Sequence, residues 1–148
     1  MRRYLLDTGV LVHYARQSLL YKEIEAKKKI LSPDCIPLVS VVTHGEILSF
    51  GIQNNWGPAK LQSITSLLSK LIIIDINSGD GDLLKAYAEI DAFSKGKLSS
   101  HPLGTSAINM GKNDLWIAAT AKVANASLIT IDSDFNHLDG KFIDVKKY

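Results

Sequence analysis

The chain has 148 residues, 46% of them hydrophobic and 22% charged, and a formal net charge of +2. That length predicts one domain spanning residues 1–148, large enough to bury a real core, while the mild charge permits a polyanionic partner without demanding one. A single cysteine, Cys35, excludes an internal disulfide framework and fits a reducing compartment, with Cys35 itself read as a small buried apolar residue.

The first element is a strand at Tyr4–Leu6, in "YLLDTGVLV". Arg2 and Arg3 precede it as in a signal peptide, but Asp7 interrupts the apolar stretch and no small-residue cleavage site follows, so a targeting role is rejected. No run approaches the roughly 20 apolar residues of a membrane span. The expected location is the cytoplasm, with no membrane association. Helical patterns follow at Val10–Arg16 and Tyr21–Leu31. The second contains Lys27 to Lys29 after Glu23 and Glu25, a pattern read as a solvated helix face.

A second strand is predicted at Ile36–Val41, then helices at His44–Asn54 and Ala59–Ser69, a third strand at Leu71–Ile76 and a helix at Asp80–Ser94. The segment from Lys95 to Lys112, "KGKLSSHPLGTSAINMGK", reads as a long loop, with a short helix near Thr105–Met110. A helix at Asp114–Asn125, a strand at Ser127–Ile131 and a weaker strand at Phe142–Val145 complete the order. Strands that alternate with helices imply right-handed crossovers: an α/β fold of three layers, α/β/α, around a central, mainly parallel sheet. Runs of Ile and Val suit strands buried on both faces.

Asp7 is one of five acids at comparable positions. Glu46 lies in "VVTHGEIL", Asp114 in "GKNDLWIAATA", and Asp132 and Asp134 in "LITIDSDF". Each alone has a local explanation. "THGE" reads as a capping box with Thr43 at the N-cap and Glu46 at the third helical position. Asn113 could cap the helix of Asp114, Asp132 and Asp134 could be turn residues, and Asp7 could cap the first helix. Together they read differently. In a parallel α/β layer, strand C-termini and helix N-termini share the edge where ligands bind. Two carboxylates ~4 Å apart repel by about 4 kcal/mol at an effective dielectric of 20, and a divalent cation removes that cost. An all-oxygen cluster without Cys/His spacing suits Mg²⁺ or Mn²⁺ and not zinc.

The ordered set "LLDTGVLV", "VTHGEI", "NDLWIAATA" and "LITIDSDF" resembles the PIN domain, and closely resembles VapC-type toxin ribonucleases, from Tyr4 to the final strand near Val145. The resemblance implies a metal-dependent endoribonuclease of a toxin–antitoxin pair. Its acidic pocket would be Asp7, Glu46, Asp114 and Asp132, with Asp134 as an additional ligand. Asp7 and Asp114 match the family's most regular metal ligands, and Thr8 and Thr130 would be supporting hydroxyls. Gly9 stands where Asn or Ser is frequent. The resemblance further implies RNA as substrate, a homodimer, and a small antitoxin whose tail blocks the pocket. Lys112, Asn113 and Arg16 are candidates for phosphate contacts.

Two other classes place an Asp after the first strand. Haloacid-dehalogenase-like phosphatases want a second Asp where this chain has Gly9, and response-regulator receivers want paired N-terminal acids and a late Lys that are missing. A non-catalytic PIN-like scaffold is the remaining alternative, and its expected mark, a lost acid, is absent. His13, His44, His101 and His137 lack metal spacing and read as surface or packing residues. Asp75, Asp80 and Asp82 read as caps. Trp116, Ala118, Ala119 and Ala121 read as the face that packs their helix on the sheet.

Overall fold

Asp7 answers the question its position raises. In the computed structural model, which describes residues 1–148, it is both the last residue bonded to the sheet and the first cap of a helix. Its backbone N–H donates to the Ile129 carbonyl (3.0 Å), and its own carbonyl accepts from Leu11 N–H (3.0 Å). Its side chain accepts from Thr8 N–H at 2.8 Å. Strand β1 (Arg2–Leu6) therefore passes directly into helix α1 (Thr8–Arg16). The helix starts at Thr8, two residues before the start that periodicity predicts, because an Asp in extended conformation can cap it there.

The remaining elements are α2 (Leu19–Lys28), β2 (Cys35–Ser40), α3 (Val41–Gln53), α4 (Pro58–Leu68), β3 (Ile72–Ile74), α5 (Gly81–Ser94), α6 (Lys112–Val123), β4 (Ser127–Thr130), a 3-10 helix (Ser133–Leu138) and β5 (Asp144–Lys147). The sheet order is β3-β2-β1-β4-β5, and every pairing is parallel. The expected α/β/α layering holds. Side chains alternate across the sheet. Leu5, Leu38, Leu128 and Val145 pack on one face with Ile90 and Phe93 of α5 and Leu115 and Ile117 of α6. Tyr4, Leu6, Val39 and Ile129 pack on the other with Val10 and Leu11 of α1, Ile24 of α2, Ile47 of α3 and Ile64 of α4. Deleting a side chain as enclosed as Leu5 or Leu6 would cost about 2–5 kcal/mol.

Several local expectations are corrected. Helix α3 begins at Val41, with Ser40 as its N-cap accepting from Val42 N–H at 3.1 Å. Thr43 is thus a helical residue, and the capping box does not form. Helix α6 is capped by Gly111 without a side-chain bond, so Asn113 is not its cap. No helix forms at Thr105–Met110. Gly104 takes a left-handed φ of 75°, and Ile108 N–H turns to the Ser94 carbonyl (2.7 Å) instead of to a carbonyl one turn back. β3 is shorter than Leu71–Ile76, and β5 begins two residues later than predicted. Asp80 caps α5 through Leu83 N–H (3.0 Å) as expected. Ala118 and Ala121 join the sheet-facing cluster, whereas Ala119 and Trp116 turn towards α5, with Trp116 4.2 Å from the Tyr87 ring.

Cys35 is buried, and Lys27 pairs with Glu23 (2.9 Å) on the exposed face of α2. His13 bonds Ser18 (2.9 Å), His101 bonds Ser100 (2.9 Å) and His137 bonds Ser94 (2.7 Å). These are packing and surface roles. No helix is long and apolar enough to cross a membrane.

Candidate metal centre

The strand order places a topological switch at β1. From it the chain moves to β2 and β3 on one side, and β4 and β5 lie on the other. A crevice opens beyond the carboxyl ends of strands at such a switch. Here a hollow of about 470 Å³ is lined by Asp7, Glu46, Asp114 and Asp132 together with Thr8, Gly9, Phe50, Ile131 and Ser133. Asp7 comes from the end of β1, Asp132 from the residue pair after β4, Glu46 from the second turn of α3 and Asp114 from the first turn of α6. The carboxylate oxygens of Asp114, Asp132 and Asp134 lie within 4.8 Å of one another.

Asp7, Glu46 and Asp132 are each held by a neighbouring hydroxyl or amide. Thr130, fully buried at the tip of β4, donates its hydroxyl to Asp7 Oδ2 (2.7 Å) and accepts from Asp132 N–H (3.0 Å). Asp132 Oδ1 in turn accepts from Asp134 N–H (2.9 Å), which opens the 3-10 helix. Thr8 donates its hydroxyl to Glu46 Oε1 (2.8 Å) and lies 3.1 Å from the Thr43 hydroxyl. With the capping box absent, Glu46 is free to face the hollow. Gly9 is also accounted for. A Cβ there would sit 3.0 Å from Ile131 Cδ1, so Ile131 fills the space a larger residue would need.

Electrostatics set the cluster apart from surface acids. Burial raises the Asp7 carboxyl above its ordinary value against the Thr130 and Thr8 hydrogen bonds, and Asp132 and Glu46 add to the rise. Burial and then the charges of Asp7, Asp132, Glu46 and Asp134 push Asp114 up to about 7. All four ion pairs of the chain lie elsewhere, at Lys27–Glu23, Lys85–Glu89, Lys95–Asp91 and Lys146–Asp144. The helix N-termini at this edge offer partial positive charge, which is small against the summed carboxylates. An uncompensated, all-oxygen cluster of this kind fits a hard divalent cation. The residues able to hold it are Asp114, Asp132 and Asp134, with Asp7 and Glu46 lining the same hollow.

Residues 4–141 match the PIN domain. The chain belongs to the PIN domain family. Its PIN fold is similar to that of VapBC2 from Rickettsia felis bound to a DNA fragment from its promoter (21% identity, 99% and 98% of the two chains covered, TM-score 0.69). It is also similar to VapBC-1 from nontypeable Haemophilus influenzae (22%, 98% and 97%, 0.70), and to VapBC-5, of the VapBC family of toxin-antitoxin systems, from Mycobacterium tuberculosis (23%, 100% and 100%, 0.63). No curated protein matches the chain.

The PIN fold gathers the four acids expected of the pocket, and Asp134 beside them. It separates Arg16 from them. Arg16 stands at the far end of α1, about 12 Å along the helix axis from Thr8, in a different hollow with Tyr14, Tyr21 and Lys70. Lys112 and Asn113 are exposed on the first turn of α6. Two lining residues escape a search for charged groups: Phe50 and Ile131, both partly exposed at the rim. Phe50 had a findable signal, since it stands four residues after Glu46 and so on the same helix face.

Proposed function

We propose that this PIN domain is a Mg²⁺- or Mn²⁺-dependent endoribonuclease that cuts single-stranded or looped RNA, and that it is the toxin of a toxin–antitoxin pair. The observation that carries the nuclease reading is the meeting of five carboxylates at the switch-point crevice with no basic partner. A divalent cation bound there supplies Lewis acidity and offsets negative charge that develops on a phosphodiester.

The chain's own residues do the rest. Asp114, Asp132 and Asp134 hold the cation. Thr130 fixes Asp7 and the backbone of Asp132 relative to one another. Glu46 keeps Oε1 on the Thr8 hydroxyl, which leaves Oε2 to accept a proton from an attacking water. A metal-held water needs no serine or cysteine nucleophile from the chain. An unstacked strand can bend its backbone into such a crevice, whereas a rigid A-form duplex cannot.

The partner reading rests on the likeness to VapBC complexes and on the resemblance in sequence. It implies a homodimer and an antitoxin whose tail occupies the acidic hollow. The decisive experiment incubates purified protein with single-stranded RNA. Internal cleavage should require Mg²⁺ or Mn²⁺, stop in chelator and return with added Mn²⁺. Asp114→Asn should fold and stay inactive. Cleavage that persists in chelator would defeat the metal mechanism, and cleavage of DNA alone would defeat the substrate assignment. Induction of the native chain alone should arrest bacterial growth, and Asp7→Asn should not. Equal growth at equal protein levels would leave a PIN nuclease without a toxin role.

A further inference from the structure

A second hollow, of about 460 Å³, adjoins the acidic one and is lined by Val42, Gly45, Glu46, Ser49, Phe50 and Asn113. Glu46 and Phe50 line both hollows, so the two share a wall. Val42, Glu46 and Phe50 recur every four residues and form one stripe of α3, with Gly45 and Ser49 on the adjacent stripe. Gly45 has no packing reason to be glycine, since a Cβ there meets nothing within 4 Å. A glycine inside a helix disfavours the helix, and its one visible effect here is to leave the hollow open. Phe50 is 37% exposed at the rim.

We infer that this hollow is the subsite for an unpaired nucleobase next to the phosphate held at the acidic cluster, an assignment that rests on the nuclease reading. Charge selects the occupant. Glu46 forms the shared wall, so a phosphate is repelled there, whereas a base is neutral. The Phe50 ring offers a face for stacking, which tolerates any base. The Asn113 amide, free because Gly111 caps α6, brings donors and an acceptor to a base edge. Ser49 adds a hydroxyl. The subsite thereby gives a cut position a base preference that the acids alone cannot impose.

The test uses a single-stranded oligoribonucleotide with 2-aminopurine at successive positions, mixed with native protein and Mn²⁺ in a stopped-flow fluorimeter. Stacking on Phe50 quenches the probe at one position beside the cut. Phe50→Ala should abolish that quench and raise KM roughly 5- to 100-fold, the range expected for one aromatic–base stack, and Phe50→Tyr should restore both. Gly45→Leu should block binding while leaving the melting temperature equal or higher. Asn113→Ala should flatten base preference at that position. Native-like quench, KM and base preference in Phe50→Ala would overturn the subsite while metal-dependent cleavage by native protein upheld the nuclease. A changed molar mass by light scattering in Phe50→Ala, with RNA binding intact, would assign the ring to contact between copies and also overturn it. Quench without cleavage would keep the base site and remove the nuclease reading.

Discussion

The Thr130 hydroxyl donates to Asp7 across 123 positions of sequence, at 2.7 Å and out of reach of solvent. The same oxygen receives Asp132 N–H, so one hydroxyl sets the separation of two acids that come from opposite ends of the chain. Thr130→Val keeps the shape but removes both bonds. It should destabilise the fold by about 1–3 kcal/mol and weaken Mn²⁺ binding about 10- to 100-fold. Calorimetric titration and urea melts measure the two effects. Native metal affinity in the valine variant would show that the bridge is structural only.

Glu46→Gln isolates charge from shape. The glutamine oxygen can still accept the Thr8 hydroxyl, so the melting temperature should stay near native. Metal affinity and RNA cleavage should fall strongly. Full activity in Glu46→Gln would remove Glu46 from the chemistry.

The pH dependence of the metal-free protein follows from Asp114 and Asp7. Their folded carboxyls titrate above the unfolded value, Asp114 at about 7. The folded form thus binds the proton more tightly, and this contribution is fully present below the unfolded pKa of about 3.9 and lost as pH rises through about 7. In chelator, urea midpoints should fall between pH 5 and pH 8. Saturating Mn²⁺ should reverse the trend, because the ion competes with the proton. A midpoint that rises with pH in chelator would contradict the clustered charge.

Asp114→Asn tests stability against function in one variant. Without metal at pH 8 it should melt higher than native protein, because it removes one of several repelling charges. It should also lose the stabilisation that millimolar Mn²⁺ gives the native chain by binding the folded state. Differential scanning fluorimetry reads both. A variant that melts lower and still responds to Mn²⁺ would place the ion elsewhere.

Lys97 and Lys112 are free of ion pairs, whereas Lys95 is engaged by Asp91 at 3.0 Å. Lys97→Gln with Lys112→Gln should weaken RNA binding and reduce the slope of log affinity against log salt by about 1 to 2. Lys95→Gln should change the slope less. An unchanged slope in the double variant would exclude these lysines from the RNA path.

The layered fold was legible in the sequence because its signals are repetitive. Strands such as Leu128–Ile129 and helices such as Leu115–Ala121 carry their burial in composition, and the alternating order leaves little freedom in topology. The five acids were legible for a related reason: sheet polarity sends every strand end and helix start to one edge. What failed was local. "THGE" fits a capping box, yet Ser40 outcompetes Thr43 because β2 ends at Ser40 and α3 follows without a loop. Whether a hydroxyl caps a helix or holds a carboxylate depends on where the preceding strand stops. The 3-10 helix at Ser133–Leu138 was illegible for lack of apolar period, and Phe50, although its spacing puts it on the helix face of Glu46, was passed over because an aromatic at a rim looks like a core residue in one dimension.

β1 occupies the middle of the sheet, bonded on one side to β2 and on the other to β4, more than 120 residues downstream. Asp7 therefore leaves the ribosome long before the Thr130–Asp132 segment that completes its surroundings. At 5–20 residues per second of synthesis, the interval is on the order of ten seconds. Throughout it a nascent chain holds half a sheet and an unfinished pocket, so any chemistry that requires both ends is withheld until translation is nearly done. Fragments that end before β4 lack Thr130, Asp132 and Asp134 and therefore a complete acidic hollow, and late pairing of this kind is also the slow step expected of a high-contact-order chain.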